Sequence, residues 1–168
     1  VQLSSYGANQ NSNDGSYWAE LREAQTMTLS IPKTGMAVST DIGDAKDIHP
    51  TNKQDVGLRL ARIALKNDYG KSVEVSGPTY ASVKYEGNKA TITFANVANG
   101  LKTKNKYGYL QGFEIVGKDK KWYYAKAEII NDKVSVSHPS VAKPVAVRYA
   151  WSDAPTDANL YNSEDLPA

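Results

Sequence analysis

The sequence contains no cysteine, so disulfides, thiolate ligands and thiol nucleophiles are all excluded, while the redox compartment stays open. Histidine is nearly as scarce. The two in 168 residues, His49 and His138, are too far apart to make a recognisable zinc-ligand spacing. Asp41, Asp44 and Asp47 do not fit the EF-hand pattern, so no metal or cofactor is expected. Long apolar runs are missing: nothing approaches the roughly 20 residues needed to span a bilayer, and no signal peptide is present. An excess of one charge is also lacking. Lys and Arg number 20 against 18 Asp and Glu, interspersed, which argues for neither nucleic acid nor a membrane surface as partner. The chain starts Val1-Gln2-Leu3 without an initiator methionine and reads as a trimmed or processed product.

What is there is ordinary for a globular protein: 40% hydrophobic and 23% charged residues, in a chain long enough to bury a core. The pattern changes near residue 70. Up to Gly70 it alternates strand and helix. Val1-Gln2-Leu3 suits a strand end, and Asn11 to Ser16 is rich in turn formers and helix caps. A helix carrying Trp18, Leu21 and Gln25 on one side follows. Thr28 to Ile31 and Met36 to Thr40, separated by Pro32 and Gly35, read as strands. A second helix starts at Pro50-Thr51-Asn52, with Asp55 near its positive end. Val56, Leu60, Ile63 and Ala64 repeat at helical spacing, Leu58 and Leu65 widen that face, and Gly70 ends it.

Beyond Gly70 the period becomes two. Tyr80 to Tyr85 and Ala90 to Phe94 flank a turn at residues 86–89, and Tyr109 to Val116 and Trp122 to Ile130 flank another at 117–120. Lys133 to Ser137 and Val145 to Trp151 follow. Such strands predict an antiparallel sandwich or jelly roll. The tail from Ser152 has no periodicity and is expected to pack as an extended segment or fray. No internal repeat or low-complexity segment is present.

The acidic loop that ends at His49 carries the chemistry. A carboxylate two residues before a histidine, beyond the C-terminal end of a strand, can form the base half of a hydrolytic triad, whereas a lone histidine before a proline at a helix start is more often a surface or capping residue. Histidine suits proton transfer because its pKa lies near neutrality. No convincing nucleophile accompanies it: Ser4, Ser5, Ser12 and Ser16 sit in the wrong context, and Gly7-Ala8-Asn9-Gln10 is not a defensible oxyanion block. His138, in Ser137-His138-Pro139-Ser140, reads as structural. Alternation puts Trp122 and Tyr124 on one face, read as core rather than a sugar platform. The lysines at 102–106 and 118–121 read as solvated turns.

Thr34-Gly35-Met36-Ala37-Val38, Asp47-Ile48-His49-Pro50 and Lys53-Gln54-Asp55-Val56-Gly57-x-Arg59-Leu60 resemble the closing section of sialate O-acetylesterase-type enzymes. These are bacterial acetylesterases of the SGNH (GDSL-like) hydrolases, a group that includes acetylxylan esterases. The resemblance extends to Trp18-x-x-Leu21-Arg22-x-x-Gln25, Gly112-Phe113-Glu114-Ile115, residues 144–151, Asn159-Leu160-Tyr161-Asn162 and Leu166-Pro167. It implies an α/β plus all-β chain: the last strand–helix units of an SGNH-type domain over 1–70, then a jelly-roll-like β-sandwich over 71–168.

It also implies a serine esterase removing O-acetyl groups from sugars, secreted or periplasmic, with His49 as catalytic base. The orienting aspartate maps most naturally onto Asp47, with Asp44 in reserve, because the superfamily's usual position, three before the histidine, is Lys46 here. The order Ser…Asp…His places the nucleophile and oxyanion donors in an amino-terminal portion of the same enzyme, the implied partner alongside an acetylated carbohydrate substrate. The competing reading is a non-catalytic β-sandwich module, carbohydrate-binding or scaffolding.

Overall fold

A computed structural model of the chain describes residues 1–8, 13 and 15–168, so Asn9, Gln10 and Ser12 lie outside the described residues. Its secondary structure is mostly antiparallel sheet with two short helices. The described residues form two compact units, one comprising 1–8, 15–76 and 152–156, the other 13, 77–151 and 157–168.

The first unit holds both helices, α1 (Tyr17–Met27) and α2 (Lys53–Asn67), and no strand among its described residues. Ser16 caps α1: its Oγ accepts from the Ala19 N–H at 3.1 Å and donates to Asp153 Oδ1 at 2.6 Å. Asn52 caps α2, accepting from the Asp55 N–H at 3.1 Å. Gly70 takes φ +63, and the Lys71 N–H just beyond it reaches back to the Leu65 carbonyl at 2.9 Å. Both helices thus fall where periodicity and caps place them.

The strands expected in this unit do not form, for local reasons. Thr28 and Ser30 turn their hydroxyls back onto the Gln25 and Met27 carbonyls at 2.6 and 2.9 Å. The chain therefore leaves α1 as a 3₁₀ turn over Thr28–Ser30 instead of a strand. Residues 36–39 run extended beside residues 1–5, but the Gln2 N–H to Ala37 carbonyl bond, 2.9 Å, is not continued into a ladder. Side chains satisfy the backbone instead. The Leu3 N–H donates to Gln25 Oε1 and the Ser4 carbonyl accepts from Trp18 Nε1, both at 2.8 Å. The Gln2 carbonyl accepts from Ser39 Oγ at 2.7 Å.

Apolar burial here is slight. Among the described residues of the first unit only Ala19, Ala37 and Ala154 are buried hydrophobics, whereas Gln2, Ser4, Ser5, Arg22, Ser39, Thr40 and Arg59 are buried and polar. Val56, Ile63 and Ala64 of the expected α2 face are half-buried, and Leu58, Leu60 and Leu65 are exposed.

The second unit has a conventional core. Strands β1 (Thr79–Glu86), β2 (Lys89–Ala95), β7 (Lys133–Ser137) and β6 (Lys126–Ile130) form one antiparallel sheet in the order β1-β2-β7-β6. A second sheet has the order β5-β4-β8, from β5 (Trp122–Tyr124), β4 (Phe113–Val116) and β8 (Ala146–Tyr149). β3 (Leu101–Thr103) pairs with β9 (Leu160–Asn162). Ile92, Val134 and Val136 of the first sheet meet Phe113 and Ile115 of the second, with Leu160 from β9, in one buried cluster. The expected strand from Trp122 to Ile130 is broken at Ala125, where the chain passes from one sheet to the other. The tail packs: Leu160, Asn162 and Leu166 are buried, and Asn162 Oδ1 accepts from the Glu164 and Leu166 N–H groups.

Candidate active site

The loop bearing Asp47 and His49 is fixed at both ends. At its start, Arg59 reaches from α2 and forks onto Asp41, with Nη1–Oδ1 and Nη2–Oδ2 each 2.7 Å, while Nη1 also donates to the Val38 carbonyl at 2.6 Å. Both side chains are almost wholly buried. Gly43 passes so close to Ser5 that a Cβ there would lie 2.5 Å from the Ser5 nitrogen, so only glycine fits. At its end, the Asn52 cap fixes where α2 begins.

Between these anchors the two aspartates take different partners. Asp44 Oδ1 accepts from the Lys46 N–H at 2.8 Å, an oxygen used on its own turn. Asp47 Oδ1 accepts from the His49 N–H at 2.8 Å and meets the His49 ring at Nδ1, 3.2 Å away. An ionised carboxylate only accepts, so this contact puts the ring proton on Nδ1 and the lone pair on Nε2. The bond from the His49 backbone N–H, then the one from its ring, with the nearby charges of His49 and Lys53, hold the Asp47 carboxyl below its ordinary pKa. The two side chains are 83% and 59% exposed, so Nε2 is open to solvent and to whatever is brought against it. Chemically the pair is an oriented imidazole able to take a proton from a hydroxyl and return it.

The hydroxyls of Ser4, Ser5, Ser16 and Ser39 are bound elsewhere. Ser4 Oγ and Ser39 Oγ share a bond of 2.8 Å, Ser5 Oγ donates to the Thr40 carbonyl at 2.7 Å, and Ser16 serves its cap. Among the described residues His49 has no side-chain partner besides Asp47. No group of three or more His, Asp or Glu among them is placed to hold a metal ion.

His138 stacks on Tyr123 with centroids 4.7 Å apart, and its Nδ1 accepts from the Ser140 N–H at 3.1 Å. The face expected for Trp122 and Tyr124 is corrected. Tyr123, between them, packs on the core, while Tyr124 is exposed and the Trp122 ring lies 4.2 Å from the Arg148 guanidinium. Alternation was right and the side was not: Tyr123 faces the core and its two neighbours do not. Arg148 in turn bonds the buried Glu114, 2.5 Å from Nε to Oε2.

The Arg59–Asp41 clamp was not given a role from sequence. The available signal was a lone arginine among Val56, Leu60 and Ile63 on an otherwise apolar helical face, 18 residues after an aspartate.

An oriented carboxylate–imidazole pair on a loop before a helix is an arrangement found in hydrolases. No family model matches the chain, and no curated protein matches it. Among solved structures, it is similar to a novel carbohydrate acetylesterase from Xanthomonas citri, at 44% sequence identity and a TM-score of 0.92. The match covers 99% of this chain and 38% of that one, so the chain spans well under half the length of that esterase.

Proposed function

We propose that the chain is the carboxy-terminal portion of a serine carbohydrate O-acetylesterase of the SGNH, sialate or xylan type, and that it supplies the base half of the active site. The carrying observation is the Asp47–His49 contact in a chain that superposes almost entirely on a carbohydrate acetylesterase. The exposed leucines of α2, in a unit whose buried apolar side chains among the described residues are three alanines, support an amino-terminal portion as the partner that covers this unit. On this reading the 1–70 segment closes an α/β domain, the later strands form a jelly-roll-like sandwich, and the protein works outside the cytoplasm.

The chemistry follows from the pair. A serine hydroxyl from the amino-terminal portion attacks the acetyl carbonyl while Nε2 of His49 takes its proton. The tetrahedral oxyanion collapses, the C–O bond to the sugar breaks, and His49 returns the proton to the departing sugar oxygen. Water then enters by the same exchange, releasing acetate and restoring the serine. Asp47 keeps the Nδ1 proton in place and stabilises the imidazolium, with backbone amides elsewhere supporting the oxyanion. Its depressed pKa keeps it charged throughout.

The test is acetate release from an acetylated sugar by the full-length polypeptide. His49→Ala should lower it by several orders of magnitude. Near-normal release by that variant would sink the assignment.

A further inference from the structure

Two of the most exposed aromatic rings in the second unit stand side by side on a braced loop. Tyr107 and Tyr109 are 67% and 69% exposed, yet their rings are stacked, with centroids 6.0 Å apart and planes 23° from parallel. Gly108 between them takes φ +73, the left-handed conformation that turns two side chains at i and i+2 toward each other. Asn105 holds the loop: its Oδ1 accepts from the Tyr107 and Tyr109 N–H groups at 3.0 and 3.1 Å, and its Nδ2 donates to the Tyr109 carbonyl. Asn159 Nδ2 donates to the same carbonyl at 2.8 Å, tying the loop to β9. Lys106 Nζ lies 4.8 Å from the centre of the Tyr107 ring.

A solvated turn has no need of this construction. Exposed tyrosines left to water gain nothing from being braced, and a backbone fixed before a ligand arrives removes the ordering cost of binding. Neither phenol has a hydrogen-bond partner among the described residues, so both can donate and accept outward. The two nearest lysines before Lys106 are otherwise occupied: Lys102 and Lys104 lie 3.0 and 3.4 Å from Asp165, and Lys104 covers Tyr161. Lys106 is exposed, with its ammonium over the Tyr107 ring and no carboxylate partner among the described residues.

We infer that Tyr107, Tyr109 and Lys106 of the second unit form a carbohydrate-binding platform. Stacked, partly apolar rings carrying hydroxyls, with an ammonium over one of them, match a pyranose, with its C–H face and equatorial hydroxyls. The choice of sugar over other ligands rests on the acetylesterase reading. The platform would hold a glycan chain on the β unit.

The experiment is native gel retardation of the full-length polypeptide in gels cast with soluble glucuronoxylan, galactoglucomannan or no polysaccharide. Wild type should be slowed by at least one glycan, and Tyr107→Ala/Tyr109→Ala should lose about tenfold in affinity, two aromatic contacts being removed. Unchanged near-ultraviolet dichroism and thermal midpoint would show that the exposed pair was removed without unfolding. His49→Ala should be slowed like wild type. If retardation persists while no variant or wild type releases acetate, the platform stands and the esterase reading falls. Absence of retardation by either glycan, or equal retardation of the double variant, would overturn the platform. So would protection of both tyrosines from surface labelling in the full-length protein without glycan, which would make them a protein interface.

Discussion

At the scale of single residues, the site turns on which carboxylate His49 meets. Asp47 bonds both the backbone and the ring of His49, while Asp44 is spent on Lys46. On the proposed esterase reading, Asp47→Asn in the polypeptide that includes the amino-terminal portion should therefore cut turnover by roughly 10² to 10⁴, since an amide no longer fixes the Nδ1 proton. Asp44→Asn should change it only a few-fold, and steady-state kinetics of acetate release separate the two. The pH dependence has a defined sign. Asp47 has a folded pKa below 3.8, so its contacts are fully present above that value and lost as pH falls through the depressed one. Carboxyl carbon resonances should show Asp47 titrating below its ordinary value, with the shift reduced but not abolished in His49→Ala, which removes the ring and keeps the backbone N–H. The proximity of Asp47 to His49 was legible because two residues in one loop can hardly avoid each other. The choice over Asp44 was not legible, because it depends on which side-chain oxygen the turn consumes.

At the scale of elements, the loop is only as well placed as its clamp. Arg59 and Asp41 are buried together, so Arg59→Met strands a carboxylate and should cost about 3–5 kcal/mol, read from denaturant unfolding. Arg59→Met/Asp41→Leu, which removes both charges, should recover much of that loss. Asn52→Ala removes one cap bond and should cost about 1 kcal/mol. The helices were readable since Ser16, Asn52 and Gly70 mark their limits by local chemistry. The short extended segments were not. Whether residues 36–39 become a strand depends on a neighbouring backbone, and here serine, glutamine and tryptophan side chains satisfy those groups instead. In the second unit, hairpins with two-residue turns such as Asn131-Asp132, both at positive φ, announce themselves. The three-residue strands β3 and β9 are too short to show a period, and the change of sheet at Ala125 leaves no mark in an alternating run.

At the scale of the whole molecule, the two units differ in what holds them. The second buries aliphatic and aromatic side chains from two sheets, whereas the described residues of the first bury hydrogen-bonded polar groups and three alanines and expose Leu58, Leu60 and Leu65. In the 168-residue chain alone, amides of α1 and α2 should exchange with solvent well before those of β2, β4 and β7. In the full-length polypeptide the helices should gain protection, and equal protection in both forms would remove the reason for a covering partner. The most direct test of the proposed half-site is labelling of the full-length polypeptide with a fluorophosphonate, followed by mass mapping. The predicted result is one labelled serine, outside residues 1–168, whose labelling is lost in His49→Ala. Label on a serine within this chain, or labelling that His49→Ala leaves unchanged, would contradict it.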